Sequence, residues 1–228
     1  MAYIKEYINA IPETLCKEII SKFEVDTDKH TGKCGDRVNL LHKKTTDLMV
    51  TQEKIENDEQ WANIETKITD KIGKYLEKYI FEHIAGEIFN KKGKDDCREI
   101  TKILGLEFKG GLRMNGYKIQ KYVPGGYFHP HSDDTPYTKR LIAVLIYLND
   151  VNSEDGGSTR FYNGRDIKPE IGKIVFFPST WSYVHEGTEL KRGVKYVISN
   201  FVESAYDTSK DNLPKVSSCK VQRCSTHP

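Results

Sequence analysis

The chain has no stretch approaching eighteen consecutive apolar residues, so no membrane-spanning helix is expected. It opens Met-Ala-Tyr-Ile-Lys-Glu-Tyr, without a basic region leading into a long apolar run, and no secretory leader is expected. A charge excess is also missing. Lys and Arg number 35 against 33 Asp and Glu, and the formal net charge of +2 gives no bulk footprint for nucleic acid. Only local clusters such as Lys91-Lys92-Gly-Lys94 stand out. There is no internal repeat and no low-complexity tract. Cysteine is sparse: five residues, an odd number, scattered at 16, 34, 97, 219 and 224. That pattern points to a reducing, intracellular and cytoplasmic setting. Cys219 and Cys224 lie close enough to pair or to bind a metal, but free thiols on a loose tail are the simpler reading.

What is present describes a polar globular protein: 228 residues, 37% hydrophobic and 30% charged, enough to bury a substantial core. A single domain is expected over residues 1–204, with helical support at about 11–90, a strand-rich core at about 100–204 and a tail at 205–228. Tyr3, Ile4, Tyr7 and Ile8 predict a short first strand. Residues 11–23 predict a helix with Pro12 in its first turn and Leu15, Ile19 and Phe23 as its stripe. Residues 26–53 predict a loop with at most a strand near Val38–Leu41, and place Cys34 and His42 on the surface. From Asp58 to Asn90 apolar residues recur at intervals of three and four, which predicts one amphipathic helix or two, with Gly73 and Gly86 as weak points. His83 falls near that stripe as a packed histidine. Residues 91–102 read as a charged connection.

Beyond residue 102 the period changes. Segments 118–122, 140–148, 158–162, 172–177 and 194–202 are short, β-branched or aromatic, and bounded by Gly, Pro, Asn or Asp. Helices first and strands afterwards predict an α+β fold built on a β-sandwich or barrel.

Chemistry concentrates in two stretches of this strand-rich half. One is Tyr122-Val-Pro-Gly-Gly-Tyr-Phe-His-Pro-His131-Ser-Asp133. The other runs from His185 to Lys195, ten positions on. On an extended segment His131 and Asp133 project to one side. With His185 brought opposite, two imidazoles and a carboxylate would hold a metal on one face and leave the other open, the facial triad of non-haem Fe(II) oxygenases. Ligand type alone does not choose among Fe(II), Mn(II) and Zn(II). His129 competes, because it shares the same spacing with His131. Asp134 could replace Asp133 only by changing face. Lys195, if it points into the barrel, needs an anion, since a buried unpaired ammonium is costly.

Taken together, the ordered motifs resemble the 2-oxoglutarate- and Fe(II)-dependent dioxygenases, in particular the prolyl 4-hydroxylase-like branch. The matching pieces are Tyr122-x-x-Gly125 with His131-x-Asp133, the strand from Arg140 through Tyr147 to Asp150, and the turn Gly156-Gly157-Ser158-Thr159-Arg-Phe161. Gly172-Lys-Ile-Val-Phe-Phe-Pro178 and the pair His185 and Lys195 complete the set. The resemblance covers residues 112–203 and implies a double-stranded β-helix, or jelly-roll, with N-terminal helices packed against it. It implies Fe(II) on His131, Asp133 and His185, with 2-oxoglutarate and O2 as cosubstrates and ascorbate as reductant. It implies Lys195 as the partner of the distal carboxylate of 2-oxoglutarate, and Tyr122 and Thr159 as cosubstrate contacts; Tyr147, inward by alternation from Leu145, either lines the same pocket as a cosubstrate contact or packs in the core. Arg140, Phe128 and Phe201 match positions on the substrate side.

The implied reaction hydroxylates an unactivated C–H bond while 2-oxoglutarate goes to succinate and carbon dioxide. The carboxylate at Asp133 favours hydroxylation over halogenation. A prolyl residue in a peptide or protein is the substrate that the branch implies. Two departures bear on it: Phe128 and Phe201 stand where Tyr and Trp are common. The segment Asp134-Thr-Pro-Tyr-Thr-Lys139 is short, which predicts a small lid. The competing readings are a hydroxylase of a free amino acid or other small molecule, and a non-catalytic jelly-roll that binds metal or 2-oxoglutarate. Nothing in the sequence indicates an oligomeric state.

Overall fold

The computed structural model describes residues 2–35, 37–104, 106, 112–114, 116–134, 140–162 and 164–204. The expected tail, with Cys219 and Cys224, lies outside the described residues, as does the expected lid beyond Asp134.

The first strand forms as expected, as β1 (Lys5–Tyr7), and is followed by α1 (Glu13–Val25) with Pro12 at its N-terminal boundary. Leu15, Cys16, Ile19 and Phe23 make the buried stripe of α1. Residues 26–53 differ from the expected loop. They supply β2 (His30–Thr31), β3 (Lys33–Cys34), β4 (Arg37–Val38), β5 (Lys43–Lys44) and β6 (Thr46–Val50). Within 38–41 only Val38 belongs to a strand, the end of β4, and Val38, Leu40 and Leu41 are exposed. The strands escaped the sequence pattern because two of their most buried positions are charged. Lys43 and Asp47 are both fully buried and pair with each other at 2.6 Å, so the alternation of apolar and polar residues that marks a half-buried strand is absent.

The helical stretch divides into α2 (Gln52–Asn57) and α3 (Glu59–Lys78), and α3 runs on into a π-helical turn over Tyr79–Ile88. The Asp58 side chain accepts from Trp61 N at 3.1 Å and caps α3, satisfying a donor that the helix start leaves unpaired. Gly73 does not interrupt α3. His83 is buried, its ring nitrogens 2.7 Å from Glu87 and 2.6 Å from the Ala2 carbonyl. The expected charged connection at 91–102 is instead a helix, α4 (Lys94–Ile103). Among the described side chains its buried apolar contact is Cys97 and Ile100 against Ala85 and Phe81, a helical spacing set within a run of charged residues. No helix among the described residues is long and apolar enough to cross a membrane.

The strand-rich half gives β7 (Leu112–Arg113), β8 (Tyr117–Tyr122), β9 (Gly126–His131), β10 (Arg140–Tyr147), β11 (Thr159–Phe161), β12 (Asp166–Ile167), β13 (Ile174–Pro178), β14 (His185–Leu190) and β15 (Lys195–Ser204). The five segments read as strands are strands; β9 and β14, which carry both histidines, add to them. Among the described residues one sheet runs β1-β13-β10-β15-β8-β6-β2, with β7 beside β15. A second runs β12-β11-β14-β9-β5. All pairings within them are antiparallel. The two sheets close on each other as a double-stranded β-helix, the α+β jelly-roll expected.

The larger sheet is covered on both faces, which is why β10 reads as an unbroken apolar run. Ile142, Val144 and Ile146 join the core shared with Phe23, Trp61, Ile68 and Tyr79 of the helices. Ala143, Leu145 and Tyr147 point the other way, into the core between the sheets, with Phe161, Phe177 and Val197. The helices thus stiffen one face and leave the interior between the sheets for the site.

Candidate active site

His131 ends β9 and His185 begins β14, and the two are opposite in the antiparallel register. Between this pair and Gly187↔Phe128 the register slips: β9 uses three steps where β14 uses two. The extra residue is a β-bulge, which reverses which side chains face inward. Phe128 and His131 consequently share a face and stack, centroids 3.6 Å apart at 15°. His129 turns onto Tyr127 instead, at 4.5 Å, and is exposed. The bulge therefore chooses His131 over its neighbour.

Asp133 lies just past β9 and completes the cluster. Its carboxylate oxygens are 3.8 Å from His131 Nε2 and 3.6 Å from His185 Nε2. One ligand atom from each of the three residues lies within 4.8 Å of the others, the one such group among the described residues able to hold a metal ion. The tautomers follow from the partners. His131 Nδ1 is 2.8 Å from the His129 carbonyl and His185 Nδ1 is 3.1 Å from the Tyr183 carbonyl. A carbonyl only accepts, so each Nδ1 carries the proton and donates. Each Nε2 then keeps its lone pair toward the centre, as a ligating imidazole requires. Burial, helped by His185, pushes the His131 imidazole down to about 3. Burial raises the Asp133 carboxyl against the pull of His185, Arg140 and Lys118. Two neutral imidazoles, one carboxylate and an open face suit Fe(II).

The open face looks into a cavity of about 690 Å³ between the sheets. Lys195, 1% exposed, enters it from β15. Its ammonium donates to the Gly157 carbonyl at 2.8 Å and lies 3.9 Å from the centre of the Tyr122 ring. Among the described residues no carboxylate pairs with it, and burial pushes it down to about 7. The pocket wall thus holds a cation without a counter-anion, the feature that a dianionic cosubstrate would meet. Thr159 lines the same cavity. Tyr147 stands behind it, fully buried, and donates to Thr159 Oγ1 at 2.7 Å. The Thr159 hydroxyl is left free to donate into the cavity.

Arg140, Phe128 and Phe201 also line this space. Arg140 Nη1 donates to the Asp133 carbonyl at 2.9 Å, and its guanidinium lies 3.7 Å from the Phe201 ring centre. Sequence reasoning passed over several neighbours. Cys34 and His42, expected on the surface, line the cavity, as do Lys118 and Gln120. Lys118 and Gln120 share the parity of Tyr122 on β8, and that signal could have found them. Cys34 and His42 arrive through pairing of the N-terminal segment, which no local pattern encodes.

A jelly-roll with an open His-Asp-His cluster beside a buried lysine defines a metal-dependent oxygenase of the 2-oxoglutarate-using kind. A family model described as 2OG-Fe(II) oxygenase superfamily matches residues 117–203. Those residues are a domain of that superfamily, and the chain is a dioxygenase that uses Fe(II), 2-oxoglutarate and O2. No curated protein matches the sequence. Among solved structures, a prolyl hydroxylase from Trichoplax adhaerens, in complex with a hypoxia inducible factor oxygen degradation domain peptide fragment, is similar at TM-score 0.67. The identity is 16%, over 89% of this chain and 84% of that one. A Pseudomonas putida prolyl-4-hydroxylase gives TM-score 0.58 and 16% identity over 89% and 93%. The viral collagen prolyl hydroxylase of Paramecium Bursaria Chlorella virus-1, as its 2OG complex, gives 0.56 and 16% over 88% and 95%. At such identity these likenesses speak to the fold.

Proposed function

We propose that His131, Asp133 and His185 hold Fe(II), that Lys195 binds the distal carboxylate of 2-oxoglutarate, and that the enzyme hydroxylates a prolyl residue in a protein or peptide. The observation that carries the cosubstrate assignment is the buried Lys195 ammonium, which shares one cavity with the triad and lacks a carboxylate partner. Thr159, oriented by Tyr147, and Tyr122 supply hydroxyls beside it. The bound iron and 2-oxoglutarate together supply oxidation of an unactivated C–H bond, with release of succinate and carbon dioxide. The chain positions the reactants. The Nδ1–H bonds to the carbonyls of His129 and Tyr183 fix both imidazoles, and Arg140 anchors the Asp133 backbone. Arg140, Phe128 and Phe201 line the substrate side.

A peptide substrate is supported by the volume of the cavity, about 690 Å³, and by the peptide seen with the similar Trichoplax enzyme. Free thiols at Cys16, Cys34 and Cys97 suit an intracellular, cytoplasmic setting. The experiment follows succinate from labelled 2-oxoglutarate with Fe(II) and ascorbate, with and without Pro-rich peptides. Peptide-stimulated turnover, abolished in His131→Ala together with metal binding, is the expected result. Stimulation by free amino acids alone removes the peptidyl reading. No turnover with any substrate, with metal binding intact in His131→Ala, removes the enzyme reading.

A further inference from the structure

The cavity does not end at the triad. Lys195, Val197, Ser199 and Phe201 alternate along β15 and line it from the inner end outward. A second cavity of about 310 Å³ continues from there, sharing Lys33, Lys118, Arg140, Ser199 and Phe201 with the first. The two make one trough along β15. Lys118 faces Ser199 across the β8 register as Tyr122 faces Lys195, so Lys118 sits roughly 13 Å along the sheet from Lys195.

The trough carries cations at both ends, and 2-oxoglutarate is too short to serve both from one seat. At the outer end stand Lys118 and Arg140, with exposed Lys33 at the rim. The nearby carboxylates are committed elsewhere. Asp47 is 4.0 Å from Lys118 Nζ but only 2.6 Å from Lys43 Nζ. Asp133 belongs to the triad, and Arg140 donates to its backbone carbonyl. Glu203, the carboxylate lining the smaller cavity, is 3.6 Å from Arg113. Arg140 Nε is buried with no hydrogen-bond partner among the described residues. Burial pushes the Lys118 ammonium down, and Lys43 and Arg140 push it further against the opposing pull of Asp47 and Asp133. A carboxylate seated between Lys118 and Arg140 would offset the mutual repulsion of the two cations, and would meet a guanidinium fork and an ammonium, a combination suited to it.

We propose that Lys118 and Arg140, with Lys33 at the rim, form a subsite for a carboxylate of the substrate. The source is an acidic side chain flanking the reacting residue of a peptide, or the α-carboxylate of a free amino acid. This inference rests on the hydroxylase reading above and sharpens its substrate class.

The test uses binding to the whole protein loaded with Zn(II) and 2-oxoglutarate, which requires no turnover. One series is proline-containing peptides in which each flanking position in turn is Glu or Gln. The other pairs free amino acids with their amides. The expected result is a position at which the Glu peptide, or the free acid, binds about tenfold more tightly than its neutral partner, as a charge-assisted contact gives. Lys118→Gln should remove most of that preference, and Lys118→Glu should turn it toward a Lys-bearing peptide. Lys33→Gln, at an exposed site that folding does not need, should weaken it in part. Which series shows the preference identifies the source of the carboxylate. Equal binding of acid and neutral partners in both series, no binding by either, or a preference untouched by Lys118→Gln and Lys33→Gln overturns the subsite. Succinate release separates the two readings. Turnover without an acid preference sinks the subsite alone, and an acid preference without turnover sinks the hydroxylase reading alone.

Discussion

The ammonium of Lys195 is held by the carbonyl of Gly157, 2.8 Å away, and by no carboxylate among the described residues. Its ordinary value near 10.5 is pushed down to about 7 by burial. A lysine depressed in the fold destabilises it most below the folded value, and that penalty fades as pH rises toward the unfolded value. The ligand-free protein should therefore gain up to about 1.4 kcal/mol per pH unit above pH 7 from this group. An anion bound against Lys195 raises it again, so 2-oxoglutarate binding should take up a proton above pH 7. Its affinity should fall about tenfold per unit there. Titration calorimetry in buffers of different ionisation heat reads the proton directly, and Lys195→Met should abolish both effects. A proton count of zero at pH 8 would contradict the assignment.

Tyr147 donates to Thr159 Oγ1 at 2.7 Å from behind the cavity wall. Tyr147→Phe keeps the packing and removes that bond, worth about 1 kcal/mol. KM for 2-oxoglutarate should rise several-fold, with iron affinity unchanged. Thr159→Val should cost more, because it also leaves the buried Tyr147 hydroxyl without its acceptor. Equal KM values in wild type and Tyr147→Phe would mean that Thr159 does not depend on this bond.

Lys43 and Asp47 are both fully buried and 2.6 Å apart, and Thr45 Oγ1 donates to Asp47 at 2.7 Å. The Lys43 ammonium also lies 4.8 Å from the Phe128 ring centre, and Phe128 stacks on His131. Removing one partner strands a buried charge, so Asp47→Ala should lower stability by about 3–5 kcal/mol. Replacing both residues by apolar ones should recover much of that loss. Urea unfolding of the metal-free protein measures it, and a loss under about 1 kcal/mol for Asp47→Ala would show that the pair relaxes into solvent.

Gly156 adopts φ +75°, and a Cβ there would overlap the Glu189 carbonyl oxygen of β14. Gly156→Ala combines a strained backbone with a clash against backbone, and should cost more than about 2 kcal/mol. The same change shifts the neighbouring Gly157 carbonyl that holds Lys195, so KM for 2-oxoglutarate should rise alongside. A thermal shift with and without 2-oxoglutarate separates the two effects.

Much of the site was legible because its signals are local. His131-x-Asp133, the two-residue alternation that carries Tyr122, and Lys195 at the head of a strand depend only on residues close in the chain. The helices at α1 and α3 were legible for the same reason, since Leu15, Ile19 and Phe23, and Ile64, Ile68 and Ile72, repeat within a single element. The N-terminal strands were not. Their inward positions include Lys43 and Asp47, whose burial is tolerated only because each neutralises the other, and that pairing exists only after β5 and β6 are in place. α4 was missed because its apolar residues, Cys97 and Ile100 among them, are set within a run of charged ones.

The sequence by itself determined the chemistry on offer: two imidazoles, a carboxylate and a lysine at spacings that strands can bring inward, in a chain able to build a jelly-roll. Tertiary structure decided which groups meet. The bulge in β9 selects His131 over His129, because one extra residue against β14 exchanges the faces of the strand. Packing of the two sheets sets Lys195 at one end of a trough and Lys118 with Arg140 at the other. Residue type and spacing act within a few residues of chain, whereas register and burial are settled by contacts between segments that are remote in sequence.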